Sequence, residues 1–212
     1  MPQLSLDLQI DPKNNGFLVG DCNIEAYLMI TKHNNPGVLY LYGGKHCGKS
    51  HLGSIWHSKT NAYRLVSNDF YGDKIFDKMH LYQSFLIDHT QIENHERSML
   101  YFYNHVIGNN KKMLIIQNKS PWDLKLVTRD LKTRLRSCIS AKINKTTNDL
   151  CKKVIEKTLK EYGIIISKEI VDYIANNTEK NFKEATKIAK KIGSKAIMTN
   201  NNITTDFLKK FL

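Results

Sequence analysis

No stretch of this 212-residue chain approaches the ~18 uninterrupted apolar residues of a membrane helix, which excludes a spanning segment. Its first residues, MPQLSLDLQIDPKNN, lack the basic flank and long apolar core of a secretory signal. The four cysteines (Cys22, Cys47, Cys138, Cys151) are scattered, with no CxxC pair and no clustered histidine, so neither a disulfide framework nor a zinc site is indicated. Repeats and low-complexity blocks are missing too. Hydrophobic residues at 41% and charged residues at 25% exclude a disordered or fibrous chain. The expected compartment is the reducing cytosol, with no membrane partner.

Arginine is scarce. Of 32 basic residues five are arginine (Arg64, Arg97, Arg129, Arg134, Arg136), the rest being lysine in a chain also rich in asparagine. That combination is what an AT-rich genome writes, so the net charge of +12 is first a solvated lysine surface and only then a hint of nucleic acid. The arginines resist that bias, and three of them fall within eight residues.

Five short apolar runs, at residues 38–42, 63–66, 84–87, 113–116 and 138–143, are separated by longer mixed segments. Such spacing predicts buried parallel strands with helical crossovers, an α/β sheet. From Leu150 onward apolar residues fall at helical intervals, with Gly163 as a stop, Ser167 and Thr204 as N-caps, and Phe182 to Ile192 marking a third helix. The expected organisation is an N-terminal tag (1–10), an α/β base (11–147) and a basic helical lid (148–212).

Gly43-Gly44-Lys45-His46-Cys47-Gly48-Lys49-Ser50 fits GxxxxGK[ST], a match expected by chance in only about 1% of chains this long. It follows a β-rich run and opens a helical segment, the order the chemistry needs. Backbone N–H groups of the glycine loop surround phosphates, Lys49 reaches them, and Ser50 at the helix N-terminus ligates Mg²⁺. The run Phe85-Leu86-Ile87-Asp88 ends in the carboxylate that stands beside Mg²⁺ in such proteins. Residue 89 is His where an ATPase of this type carries a second acid, and nothing in the spacing lets Glu93 or Glu96 substitute. The fourth run ends in Gln117-Asn118, which reads equally as γ-phosphate-facing amides or as a strand-end turn. Arg134 precedes the fifth run, where an arginine can reach a neighbour's phosphates; by itself it is a surface arginine.

The segments GDCNIEAY (20–27), YLYGGKHCGKSHL (40–52) and LKTRLRS (131–137), in this order, resemble the AAA+ module of the DnaA family of bacterial replication initiators and their relatives. The resemblance runs from about Phe17 to the C-terminus and implies a P-loop AAA+ fold. It further implies that Phe17, Val19 and Asn23 pack against adenine, that Gly43, Gly48, Lys49, Ser50 and His51 hold ADP or ATP, and that Ser50 and Asp88 hold Mg²⁺. Asn118 would be a sensor and Arg134 an arginine finger acting in trans. Lys180 stands where the family has a sensor arginine, keeping the charge and losing the bidentate fork.

A chain of 212 residues is expected to lack the initiator's C-terminal DNA-binding domain. Gln3, Leu4, Ser5, Leu6 and Leu8 resemble the peptide by which short members dock on the polymerase sliding clamp, although a strand of the domain's own sheet explains the alternation as well. The implied partners are DnaA and the clamp, with possible self-association and DNA contact mainly through the clamp. The implied activity is negative regulation of replication initiation by stimulating hydrolysis of DnaA-bound ATP, with weak or no ATPase of its own. The alternatives are a clamp-tethered adaptor or helicase-loader-like protein, an autonomous P-loop ATPase or kinase, and a direct DNA-binding regulator.

Overall fold

The computed structural model describes residues 9–11, 16–71, 74–88, 91–199 and 203–209. Five of the strands, β3 (Gly37–Gly43), β4 (Tyr63–Leu65), β5 (Ser84–Asp88), β6 (Lys112–Gln117) and β7 (Ile139–Ile143), form one sheet in the order β4-β5-β6-β3-β7. Every pairing in it is parallel. The expected α/β class is therefore met, and the five apolar runs are its five strands. Two runs were read one residue too long: Val66 lies beyond β4, and Cys138 caps the preceding helix before β7 begins.

The central strands read as continuous apolar runs because both faces of the sheet are covered. Tyr40, Phe85, Met113 and Ile115 point into one core with Met99 and Phe102 of α4 (Glu96–Gly108) and Leu131 and Leu135 of α5 (Arg129–Ser137). On the other face α1 (Ile24–Lys32) and α2 (Lys49–Thr60) bury Ile30, Leu52 and Trp56. Helix α2 comes so close that a Cβ on Gly53 would lie 2.5 Å from the Ile116 Cδ1 atom. Helix α3 (Lys74–Leu81) is closed by the buried Lys111, whose Nζ donates to the Met79 and Tyr82 carbonyls.

Two compact units make up the chain. One holds Phe17 and Asn23–Asn144, which includes the five-stranded sheet. The other unites Leu18–Cys22 with Lys145–Leu212. Its helices are α6 (Asn148–Glu161), α7 (Lys168–Asn176), α8 (Phe182–Thr199) and α9 (Thr205–Leu208). Thr147 caps α6 through its hydroxyl, which accepts from the Leu150 N–H. Leu18 and Cys22 are buried with Leu150, Ile155, Ile174 and Ile192 in this second core.

Two short strands, β1 (Gln9–Asp11) and β2 (Phe17–Val19), pair with each other. Sequence reading left β2 unassigned, and Gln9–Asp11, split between tag and spacer, is a strand. The tag residues Gln3, Leu4, Ser5, Leu6 and Leu8 lie outside the described residues.

Candidate nucleotide site

All five strands of the main sheet end at one edge, because the sheet is parallel. Register aligns Asp88 with Ile116, Leu41 with Ile116 and Tyr42 with Gln117. Asp88, Gln117 and Gly43 thus end three adjacent strands at nearly one level, with roughly 10 Å between the outer two at ~4.8 Å per strand.

The chain leaves β3 into the glycine loop. Gly43 is fixed by close approach: a Cβ there would sit 2.5 Å from the Ile143 carbonyl oxygen of β7. Gly48 adopts φ 100° directly before α2, a left-handed conformation suited to glycine, and His46 is left-handed as well at φ 61°. Within the loop Lys49 is 7% exposed and donates from Nζ to the carbonyls of Gly43 at 3.0 Å and Gly44 at 2.6 Å, with the Cys47 Sγ at 3.8 Å. A buried ammonium needs such partners. No acidic residue occupies the first turn of α2, where a helix otherwise favours one. A buried cation, a glycine cradle and an acid-free helix N-terminus together fit a phosphate group.

Ser50 and His51 follow in α2. His51 meets the Phe17 ring edge-on at 5.2 Å, and Phe17 stacks on Tyr27 at 5.9 Å. Phe17 is therefore brought to the loop. Asn23, buried, precedes α1, and Val19, also buried, belongs to the helical unit with its neighbours Leu18 and Cys22. Lys180 is exposed and stands two residues before α8 rather than inside it.

Asn118 is exposed one residue past β6, where it lines an open cleft of about 460 Å³ with Gln91, Glu93, Gln117, Lys119 and Lys125. Its loop is anchored by the fully buried Tyr40, whose hydroxyl donates to the Lys119 carbonyl at 3.1 Å and whose phenol burial pushes strongly up in pKa. Glu93 in the same cleft pairs with Lys119 at 3.4 Å. Glu96 is committed elsewhere, accepting the N–H groups of Val127 (2.9 Å) and Thr128 (2.6 Å) at the entry to α5. Desolvation raises its pKa, and hydrogen bonds from Thr128 and Val127 outweigh that, leaving it below the usual carboxylate range. His89 lies outside the described residues.

Arg134, in the last turn of α5, donates from Nε to Asp130 Oδ1 at 2.9 Å and sits 5.7 Å from the centre of the Tyr103 ring. Beneath it the Tyr103 hydroxyl is 3.6 Å from Cys138 Sγ, and burial pushes that thiol up to about 11. All four cysteines are free thiols. Among the described residues no group of three His, Cys, Asp or Glu gathers to hold a metal, and no helix is long and apolar enough to cross a membrane. The supports Tyr40, Tyr103 and Glu96 were not singled out by the sequence as parts of the site, because their partners lie far along the chain.

No protein-family model matches the chain. It is 25% identical over 228 residues to the chromosomal replication initiator protein DnaA of Ehrlichia ruminantium, an alignment covering 93% of this chain and 49% of that one. The chain thus spans about half the length of the curated relatives it matches. The crystal structure of domain III of DnaA from Thermotoga maritima superposes with a TM-score of 0.75 at 21% identity, covering 97% of this chain and 98% of that one. AMPPCP-bound DnaA from Aquifex aeolicus gives a TM-score of 0.75 at 22% identity over 90% of this chain and 68% of that one. The chain has the AAA+ P-loop fold, and its sequence is similar to DnaA along nearly its whole length.

Proposed function

We propose that the chain is an adenine-nucleotide-binding regulator of bacterial replication initiation, of the kind represented by Hda. Lys49 carries this reading: a buried ammonium held in a glycine loop, on the sheet edge shared with Asp88 and Asn118, in a chain similar to DnaA over 93% of its length. Gly43, Gly48, Lys49, Ser50 and His51 hold ADP or ATP. Phe17, Val19 and Asn23 form the adenine side, with Lys180 the sensor-position cation of the lid. Ser50 and Asp88 are the groups that would hold Mg²⁺, whose chemistry is to neutralise phosphate charge. Gln3, Leu4, Ser5, Leu6 and Leu8 dock on the sliding clamp, and Arg134 stabilises charge on the ATP of a neighbouring DnaA, promoting its hydrolysis. The chain's own turnover is weak or nil, and its setting is the bacterial cytoplasm.

For Arg134 to reach a neighbour it must leave Asp130, an exposed pair worth at most about 1 kcal/mol. The same pairing favours a second reading, a clamp-tethered adaptor or helicase-loader-like protein in which Arg134 is structural. The deciding experiment measures hydrolysis of DnaA-bound ATP with DNA-loaded clamp, using the wild type, Arg134→Ala and Gln3→Ala/Leu6→Ala. Stimulation lost in Arg134→Ala with clamp binding intact supports the regulator. Clamp binding without stimulation in any form supports the adaptor. Steady turnover by the chain alone supports an autonomous ATPase or kinase.

A further inference from the structure

Helix α8 carries its charge unlike its neighbour α6. It is the longest described helix, 18 residues, rising about 27 Å at 1.5 Å per residue. Ala185, Ala189, Ile192 and Ala196 are buried in the core of the helical unit. Away from that core Lys183, Lys187, Lys191 and Lys195 stand at strict four-residue intervals, with Lys190 beside them, and all are exposed. Glu184 is the helix's one acid and reaches Lys187 at 3.4 Å. Like charges four residues apart on a helix repel, so α8 carries three successive like-charge spacings from Lys183 to Lys195, relieved within the helix by Glu184 at Lys187.

Helix α6 is built the other way. Opposite charges stand four residues apart at Asp149/Lys153, Lys152/Glu156, Glu156/Lys160 and Lys157/Glu161, against one like pair at Lys153/Lys157, and Lys152 bonds Asp172 at 2.7 Å. Both helices draw on one lysine-rich composition, so composition does not account for the difference.

We propose that the lysine ladder of α8 binds the phosphate backbone of duplex DNA. Charge complementarity is the first argument, since a polyanion relieves the repulsion that the free helix tolerates. The second is the lack of anything to stack on a base. The helix's one aromatic residue, Phe182, packs into the core, and its remaining exposed positions include Ser194, Ile197 and Met198. Single-strand sites rely on aromatic platforms, and a rigid backbone track does not. An anionic membrane is disfavoured because the apolar face of α8 is largely consumed by the core, leaving only Ile197 and Met198 exposed at its end, too little apolar surface to insert. The proposal is independent of the nucleotide and clamp assignments.

The test is a fluorescence-anisotropy titration of the full chain against a 30-base-pair duplex across a salt series. Neutralising about four phosphates gives a slope of log affinity on log salt between about −3 and −4. Lys187→Gln/Lys191→Gln should weaken binding and bring the slope to about −2. Lys153→Gln/Lys160→Gln on α6 removes the same charge and should leave the slope near the wild-type value. Melting curves of both variants confirm that they fold. Equal loss in the two variants would reduce the effect to net charge and overturn the proposal. So would absent duplex binding, tighter binding to the matching single strand, or preferential binding to phosphatidylserine-containing vesicles.

Discussion

The α/β base and the helical unit treat charge in opposite ways. In the base the decisive charges are given named partners: Lys49, buried, on the Gly43 and Gly44 carbonyls, Lys111, buried, on the Met79 and Tyr82 carbonyls, and Glu96, half-buried, on the Val127 and Thr128 N–H groups. In the helical unit the lysines of α8 stay exposed and crowd one another. A charge in the base is worth what its geometry provides. A charge on α8 matters through the field it adds to, and singly it costs stability.

Lys111→Met breaks this comparison most severely, because it removes the ammonium from the Tyr82 carbonyl and leaves the Met79 carbonyl with only the His105 Nε2 at 3.3 Å. The expected loss is about 2–3 kcal/mol in urea unfolding; an unchanged midpoint would mean that the ammonium is not what closes α3. Glu96→Gln comes next, at about 1–2 kcal/mol. Because the folded-state pKa of Glu96 is depressed, its contribution is present above the unfolded value of 4.5 and disappears as pH falls through the lower folded value. Stability measured from pH 6 down to pH 3 should therefore fall less steeply in Glu96→Gln than in the wild type.

Lys187→Glu should act in the opposite direction. It turns the repulsions with Lys183, Lys190 and Lys191 into attractions and the ion pair with Glu184 into a repulsion, a net rise in stability of about 0.5 kcal/mol, read as a small rise in Tm. A lowered Tm would show that the ladder is not repulsive. Asp130→Asn has the smallest expected effect, within about 0.5 kcal/mol on folding. In the DnaA hydrolysis assay it should retain or modestly raise stimulation, since it frees Arg134. Loss of stimulation would mean that the Asp130 pair positions the arginine rather than holding it back.

What could be read from the chain followed how local the cause was. The glycine loop is eight consecutive residues, so its pattern was visible before any fold was known. The apolar runs announced the sheet because each strand is buried on two faces. Lys111 and Glu96 gave no such sign. One lies in Asn109-Asn110-Lys111-Lys112, a stretch that reads as a solvated turn, yet its partners are 29 and 32 residues away. The other serves N–H groups 31 and 32 residues on. Tyr40 looked like strand filling, and only its distant bond to Lys119 reveals a support for the Asn118 loop. Strand β2 was missed because three residues are too few to show a period.

The placement of Leu18 and Cys22 determines how this molecule can be dissected. They supply buried surface to a core whose other members begin at Leu150, more than a hundred residues later in the chain. A fragment started at Lys145 would therefore be born with a hole in its interior. A protease nick between Asn144 and Thr147 would sever the peptide without releasing the helical piece, because that piece is also anchored by a segment on the far side of the P-loop in sequence. The lobe follows the base along the chain, but it is not a module that a single cut sets free.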